Sequence, residues 1–324
     1  MAAIKKAKKN ISSNENVYIK KPLLTRMGND IKRNHWFYIM IAPTLLYFAI
    51  FKYWPMYGVQ LAFKEYYVKK GITGSPWVGF EHFERFFSSH NFMDLLANSL
   101  IISLATIAIT FPLTIVFAFG LNYLVGIKFK KTVQMVSYAP HFISTVIICG
   151  MISIFLSTET GVVNKMVSLF GMEQVSFMSK PEYFLPIYII SELWQTIGWG
   201  SIIYISALAG VDPALHESAI MDGATKVQRM WSIDLPCIKP TVVVLLILKL
   251  GSVMNLGFEK IFLLQNDLNR SASDVISTYI YRMGIQGGDY EYTTAIGLFN
   301  SAINIILLLT VNYISEKLTE ESLF

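Results

Sequence analysis

Several polar side chains interrupt stretches of this sequence that are otherwise apolar. They are Glu192, Trp194, Gln195 and Trp199 in "SELWQTIGWGS", Lys249 and Asn255 in "LKLGSVMNL", and Asn300, Ser301 and Asn304 in "FNSAINII". Polar groups in hydrocarbon are costly, so those that remain usually face a cavity or a partner. Amides and indoles together suit a hydroxyl-rich ligand such as a sugar. Hydroxyls need donors and acceptors side by side, and the apolar faces of sugar rings stack on aromatics. Asn300 and Asn304 are four apart and share a helix face, placing them on a substrate path or in an interhelical hydrogen bond. Glu192 and Lys249 raise a sharper expectation. At 1.5 Å per residue their depths in a bilayer agree to within roughly 5 Å. Each charge alone costs about 2.5–3.5 kcal/mol at the centre of a span. A Glu192–Lys249 ion pair across two helices answers that cost; the alternative is that each faces water or snorkels separately.

Catalytic chemistry has less to stand on. A membrane enzyme such as a glycosyltransferase would need clustered carboxylates or a metal site, and the five histidines (His35, His82, His90, His141 and His216) show no ligand spacing. Cys149 and Cys237 fall one in an apolar run and one in a polar segment, so no disulfide framework is implied and both are expected to be packing residues.

The elements that position these residues follow from composition. With 324 residues, 53% hydrophobic, 15% charged and a mean hydropathy of +0.47, the chain is too apolar for an ordinary soluble domain. An all-α polytopic membrane protein is expected, with six spans near 36–53, 99–125, 133–156, 183–210, 241–258 and 294–314. The first run follows a long basic segment and ends in bulky "FKYWPMYG", so it is a helix that stays and not a cleaved signal peptide. If the N-terminus is cytoplasmic, the inside segments carry 16 lysines and arginines against 10 outside, which is the bias expected of cytoplasmic loops. Both termini are then cytoplasmic. Residues 1–34, with "KKAKK", are a topology signal that touches anionic lipid and not a nucleic-acid tail. Residues 35–324 form the six-helix domain. The phenylalanines of "GFEHFERFF" suggest a short helix lying on the outer interface, and residues 259–292 an external loop. Inverted repeats, which an ion-coupled carrier would carry, are not seen.

Between the fourth and fifth runs lies a polar segment, residues 211–240, containing "HESAIMDGATKVQRMWSIDLP". Asp212 is a good N-cap, Pro213 a favourable first helical residue and Gly223 a left-handed terminator, so a short helix should end at a turn. A second helix, "ATKVQRMWSIDL", should then stop at Pro236. The result is a knob on the cytoplasmic side.

This segment resembles the EAA loop of ABC-importer permeases: a Glu with two small residues, three residues, Gly, nine residues, Ile, any residue, Leu-Pro. Here it reads Glu217, Ser218, Ala219, then Asp222 and Gly223, then Ile233, Leu235 and Pro236, with Ser218 in place of the usual Ala. The resemblance implies the type I ABC-importer permease fold and a coupling helix docked in a cleft of a separate ATPase. Small Ser218 and Ala219 would permit close approach, and Glu217 would offer a charge to partner arginines. "YWPMYGVQLAFKEY", "GSPWVGFEHFERFF" and "NLGFEKIFLLQN" further resemble the LplB-like polysaccharide and oligosaccharide uptake permeases. An amino-acid or peptide permease would share the loop but not these stretches. That resemblance implies a second homologous permease subunit, a dimer of ATP-binding subunits, and an extracellular sugar-binding lipoprotein in the plasma membrane of Gram-positive bacteria. No Walker A pattern occurs, so this chain is expected to be no enzyme and to bind no cofactor, with ATP and Mg at the partner ATPase.

Overall fold

Prolines, glycines and hydroxyl residues inside the apolar runs decide where the helices break. A computed structural model describes residues 32–255 and 257–319, so most of the basic segment 1–34 lies outside the described residues. Among the described residues the chain is helical, and the one strand-like feature is an isolated antiparallel bridge between Lys64 and Trp77.

The chain divides into two units, Met1–Val59 and Gln60–Phe324. The described part of the first holds helix α1 (His35–Phe48), apolar around its circumference, followed by a wide π turn over Ala49–Tyr53. Among the described residues three helices are long and apolar enough to cross a membrane (His35–Phe63, Phe92–Tyr123 and Tyr290–Lys317), and up to five if each of two bent pairs counts as one span.

In the second unit, α2 (Glu81–Phe87) precedes the 32-residue α3 (Phe92–Tyr123). Of the phenylalanines expected on one face of this helix, Phe86 is buried against Phe92, Tyr292 and Phe299, while Phe80 and Phe87 stand exposed. Helix α3 buries a stripe of small hydroxyl residues, Ser99, Ser103, Thr106, Thr110 and Thr114. Three of those hydroxyls donate to their own helix, Ser99 to Leu95 O at 2.6 Å, Thr106 to Ile102 O at 2.6 Å and Thr114 to Thr110 O at 2.7 Å. Satisfied in this way, a small polar stripe lets two helix backbones approach closely in lipid.

The expected third span is not one helix. Helix α4 (Ile127–Tyr138) tightens through a 3-10 turn at Ala139–Phe142, and α5 (Thr145–Phe155) leaves at 97° to it. Ile143 and Ser144 between them are extended, and the Ser144 hydroxyl caps α5 by accepting from Ile147 N. Pro140 in the turn offers no backbone donor to prolong the first helix. After α6 (Val162–Leu169) comes α7 (Pro181–Leu208), the expected fourth span. At 28 residues it measures about 42 Å, but Glu182, Glu192 and Gln195 keep it less apolar than the three helices above. Gly198 of α7 is where α4 crosses, since a Cβ there would sit 2.1 Å from Ser137 O.

The polar segment supplies α8 (Pro213–Met221) and α9 (Lys226–Arg229), and α10 (Leu235–Leu250) follows. Contrary to expectation, the helix does not stop at Pro236. A π turn over Met230–Asp234 carries α9 directly into α10, and Pro236 follows it at once, so the helix widens where the missing N–H and the ring of proline would disturb a regular ladder. Helix α10 ends near Gly251, and α11 (Phe258–Leu264) starts at Gly257, whose φ is +77°. A side chain at Gly257 would also strike Tyr188 Oη at 1.8 Å, so only glycine fits.

The expected external loop over 259–292 is largely core. It contains α11 and α12 (Ile276–Ile280), and Ile261, Leu264, Ile276 and Tyr279 are buried. Asn98 donates to Ser271 O and Asp274 O, Ser99 Oγ accepts from Ile276 N at 3.0 Å, and Asn269 donates to Met178 O. Asp274 grips Arg282 with both oxygens, and those hydrogen bonds hold the guanidinium above its usual range. The last helix, α13 (Tyr290–Thr319), closes the core through Tyr292 and Ile296.

Candidate functional site

The knob is built by its own caps. The Asp212 carboxylate accepts from Ala214 N at 2.9 Å, opening α8 with Pro213 as its first residue. Gly223, at φ +79°, ends it. Thr225 and Gln228 then form a reciprocal capping box that starts α9. Glu217, Ser218, Asp222 and Gly223 are exposed and Ala219 is half-buried. Around them Leu215, Ile220, Met221, Val227 and Trp231 also stand open to solvent. Apolar side chains clustered with polar ones on a short projecting helix pair make the composition of an interface.

Beneath the knob lies a polar latch. Asp234, in the π turn between Ile233 and Leu235, is 0% exposed. Its Oδ2 accepts from Tyr123 Oη at 2.5 Å, tying the knob to the end of α3. His216 Nε2 of α8 is 3.2 Å from Oδ1, near enough for attraction though not aligned as a hydrogen bond. The Arg229 guanidinium lies over the Tyr123 ring at 5.8 Å. One buried carboxylate therefore joins α8, α9, α10 and α3.

The second site is a cleft of about 650 Å³ lined by the α4–α5 bend, α7 and the start of α11. Its wall carries Glu192, whose Oε2 accepts from Lys260 Nζ at 2.6 Å. The expected Glu192–Lys249 pair is thus corrected. The helical path bends by 56° beyond α10, and α11 delivers Lys260, 4% exposed, to Glu192. Gln195 Nε2 donates to Ile143 O at 3.4 Å, bridging α7 to the bend. A second cavity of about 310 Å³ shares His141 and Thr196 with the first and is lined further by Trp199, Thr114, Lys249 and Ser252. His141 stacks on Trp199, ring centres 4.5 Å apart and 5° from parallel.

The remaining expected site residues go elsewhere. Trp194 lines a separate apolar groove with Ile148, Met151 and Phe155. Asn300 and Asn304 are buried and fasten the α10–α11 break: Asn300 Nδ2 donates to Asn255 Oδ1 at 2.6 Å, and Asn304 Oδ1 accepts from Met254 N at 3.1 Å. Of the two readings open for the pair, the geometry is that of interhelical hydrogen bonding. Ser301 is exposed and donates to Gly297 O of its own helix. Cys149 is buried, as a packing residue should be, but Cys237 is exposed. Lys260, His141, Tyr123, His216 and Asp234 were not singled out for these roles by the sequence. Asp234 and His216 lie within residues 211–240, but their spacing carries no sign that the one is buried beneath the other.

Comparison with known proteins bears on both sites. Residues 95–320 match the family model described as binding-protein-dependent transport system inner membrane component, a stretch that holds the knob, the latch and both cavities. The chain is 44% identical over 294 residues to Protein LplB of Bacillus subtilis (strain 168), covering 91% of this chain and 92% of that one. It is 41% identical to the B. subtilis polygalacturonan/rhamnogalacturonan transport system permease protein YteP, covering 95% and 96%. Among solved structures it superposes, with a TM-score of 0.85 and 43% identity, on a chain of a bacterial ABC transporter involved in import of the acidic polysaccharide alginate; the match covers 91% of this chain and 99% of that one. A second structure of a bacterial alginate ABC transporter, in complex with an alginate pentasaccharide-bound periplasmic protein, matches at a TM-score of 0.85 and 42% identity over 92% and 100%. With the family model covering well over half its length, this chain belongs to the binding-protein-dependent transport system inner membrane components: it is a multi-pass plasma-membrane transport subunit of the ABC permease type.

Proposed function

We propose that this permease moves an oligosaccharide or polysaccharide fragment, delivered by an extracellular binding lipoprotein, through a passage completed by a second homologous permease. In this reading six spans cross the membrane, both termini are cytoplasmic, and the knob of residues 211–240 faces the cytoplasm. There it docks on a dimer of ATP-binding subunits that hold ATP and Mg. Glu217, Ser218, Ala219, Asp222 and Gly223 form the contact, while Ile233, Leu235 and Pro236 pass its motion into α10.

The observation that carries the reading is the mechanical continuity beneath the knob. From Lys226 the helical backbone runs without a stop to Leu250, about 21 Å from Leu235 to Lys249. Asp234 ties the same turn to α3 through Tyr123. Helices α10 and α3 both line the 310 Å³ cavity, through Leu245, Leu248 and Lys249 on one and Phe111 and Thr114 on the other. A displacement of the knob therefore moves two walls of a membrane cavity together. Relatives named for polygalacturonan, arabinooligosaccharide and alginate transport support the substrate class.

The test is uptake by proteoliposomes holding this chain with its co-purified subunits and binding protein. ATP-dependent accumulation of a labelled oligosaccharide is expected. Accumulation that proceeds equally without ATP, or none of any oligosaccharide offered, would overturn the reading.

A further inference from the structure

We propose that the cavity between α3, α7 and α10 is a subsite for the carboxylate of an acidic sugar unit, and that Lys249 is the cation that recognises it. This rests on the sugar-import reading above and adds the charge class of the substrate. Lys249 lines the cavity beside Trp199, His141, Thr114, Thr196 and Ser252. Among the described residues no carboxylate forms an ion pair with it. Glu192, on the wall of the neighbouring cleft, is already committed to Lys260 at 2.6 Å. Glu259 lines the neighbouring 650 Å³ cleft and not this one.

Lys249 stands in the last turn of α10 with its side chain exposed, and a charge kept within a membrane segment marks a ligand path or a partner. The rest of the cavity says what kind of anion fits. His141 stacks on Trp199 and Phe142 meets it at 84°, yet the indole remains 44% exposed. Exposed aromatic surface is what the apolar side of a sugar ring packs on. Thr196 donates to Glu192 O and Thr114 to Thr110 O, so each hydroxyl oxygen keeps lone pairs free to accept from sugar hydroxyls. An indole, hydroxyls and a single ammonium in one cavity match a uronic-acid unit better than a neutral hexose or an inorganic anion.

The experiment uses the whole transporter in proteoliposomes with saturating binding protein. Uptake of a galacturonate oligomer is compared with that of the same oligomer after its carboxylates are reduced to alcohols. K249Q is expected to lower the rate for the acidic oligomer by about tenfold, the scale of one lost charge-assisted hydrogen bond, and for the reduced oligomer by less than about twofold. K249R, which keeps the charge, should recover most of the acidic rate. Because the binding protein is common to all variants, its own preference cancels in the ratio. Equal losses for the two oligomers, or no loss for either, would overturn the subsite. So would failure of K249Q to assemble, if K249R assembles, since Lys249 would then be a contact between subunits. Absence of oligosaccharide uptake by the unaltered transporter would instead defeat the import reading itself.

Discussion

Removing one oxygen from the latch, Tyr123→Phe, should loosen the knob while leaving every helix in place. The Tyr123 hydroxyl donates to a carboxylate that is wholly buried, at 2.5 Å. A hydrogen bond to a charged group is worth about 1.5–3 kcal/mol, and phenylalanine fills the same ring volume, so little packing is lost with it. What remains on Asp234 is His216 near Oδ1, close but not aligned. If that energy holds the knob against local opening, the loss multiplies the open population by about 10–150-fold. Amide hydrogen exchange, followed by mass spectrometry on the purified complex, reads this directly: amides over 213–234 should exchange faster by that factor and amides in α13 should not change. Asp234→Asn should produce a similar acceleration. The two changes combined should be less than additive, with an interaction of at least about 1 kcal/mol, because both remove the same bond. Uptake should fall while ATP hydrolysis persists, the signature of a loosened link. Unchanged exchange in Tyr123→Phe, or strict additivity with Asp234→Asn, would refute the latch.

Three further expectations follow from the same geometry. Gly223→Val should fold, since no atom beyond its chain neighbours lies within 4 Å of where its Cβ would stand, yet a β-branched residue at φ +79° is strained by about 1–2 kcal/mol; uptake should drop while the complex still purifies intact. Lys260→Met should destabilise the chain by about 1–3 kcal/mol by leaving Glu192, 28% exposed in the cleft wall, without its partner, and adding Glu192→Gln should restore much of the loss, as thermal unfolding in detergent would register. A maleimide reagent should label one cysteine and not two, Cys237 and not Cys149, and an impermeant reagent should reach Cys237 only from the cytoplasmic side; labelling of intact cells from outside would invert the proposed topology.

The knob was legible in the sequence because its signals are local. Asp212, Pro213 and Gly223 act through backbone conformation within a few residues, and the structure uses each as expected. The family was legible from the fixed spacing between Glu217 and Pro236. What stayed hidden depended on contacts between residues far apart in the chain. Glu192 and Lys249 matched in depth on straight helices, but the break at Gly251–Gly257 brings up Lys260, 68 residues from Glu192, on a helix that hydropathy alone places outside. The third span reads as one apolar run because composition does not record the two extended residues at Ile143 and Ser144. Pro236 reads as a stop, yet the π turn over Met230–Asp234 just before it widens the helix, and the backbone continues through it. Asn300 and Asn304 share a face as their spacing requires, but spacing does not say whether that face meets a cavity or another helix.

Cross-linking from the knob tests the coupling most directly. Ser218 is exposed and its hydroxyl bonds only Leu215 O of its own helix, so Ser218→Cys should leave α8 undisturbed. With Cys149 and Cys237 replaced by serine and alanine, membranes bearing the whole transporter would be treated with a short bifunctional thiol-to-amine reagent. A single adduct is expected between this chain and a subunit carrying an ATP-binding Walker A sequence, its yield changing when ATP is added. An adduct formed only with an extracellular protein, or none in a transporter that still imports, would contradict the role assigned to the knob.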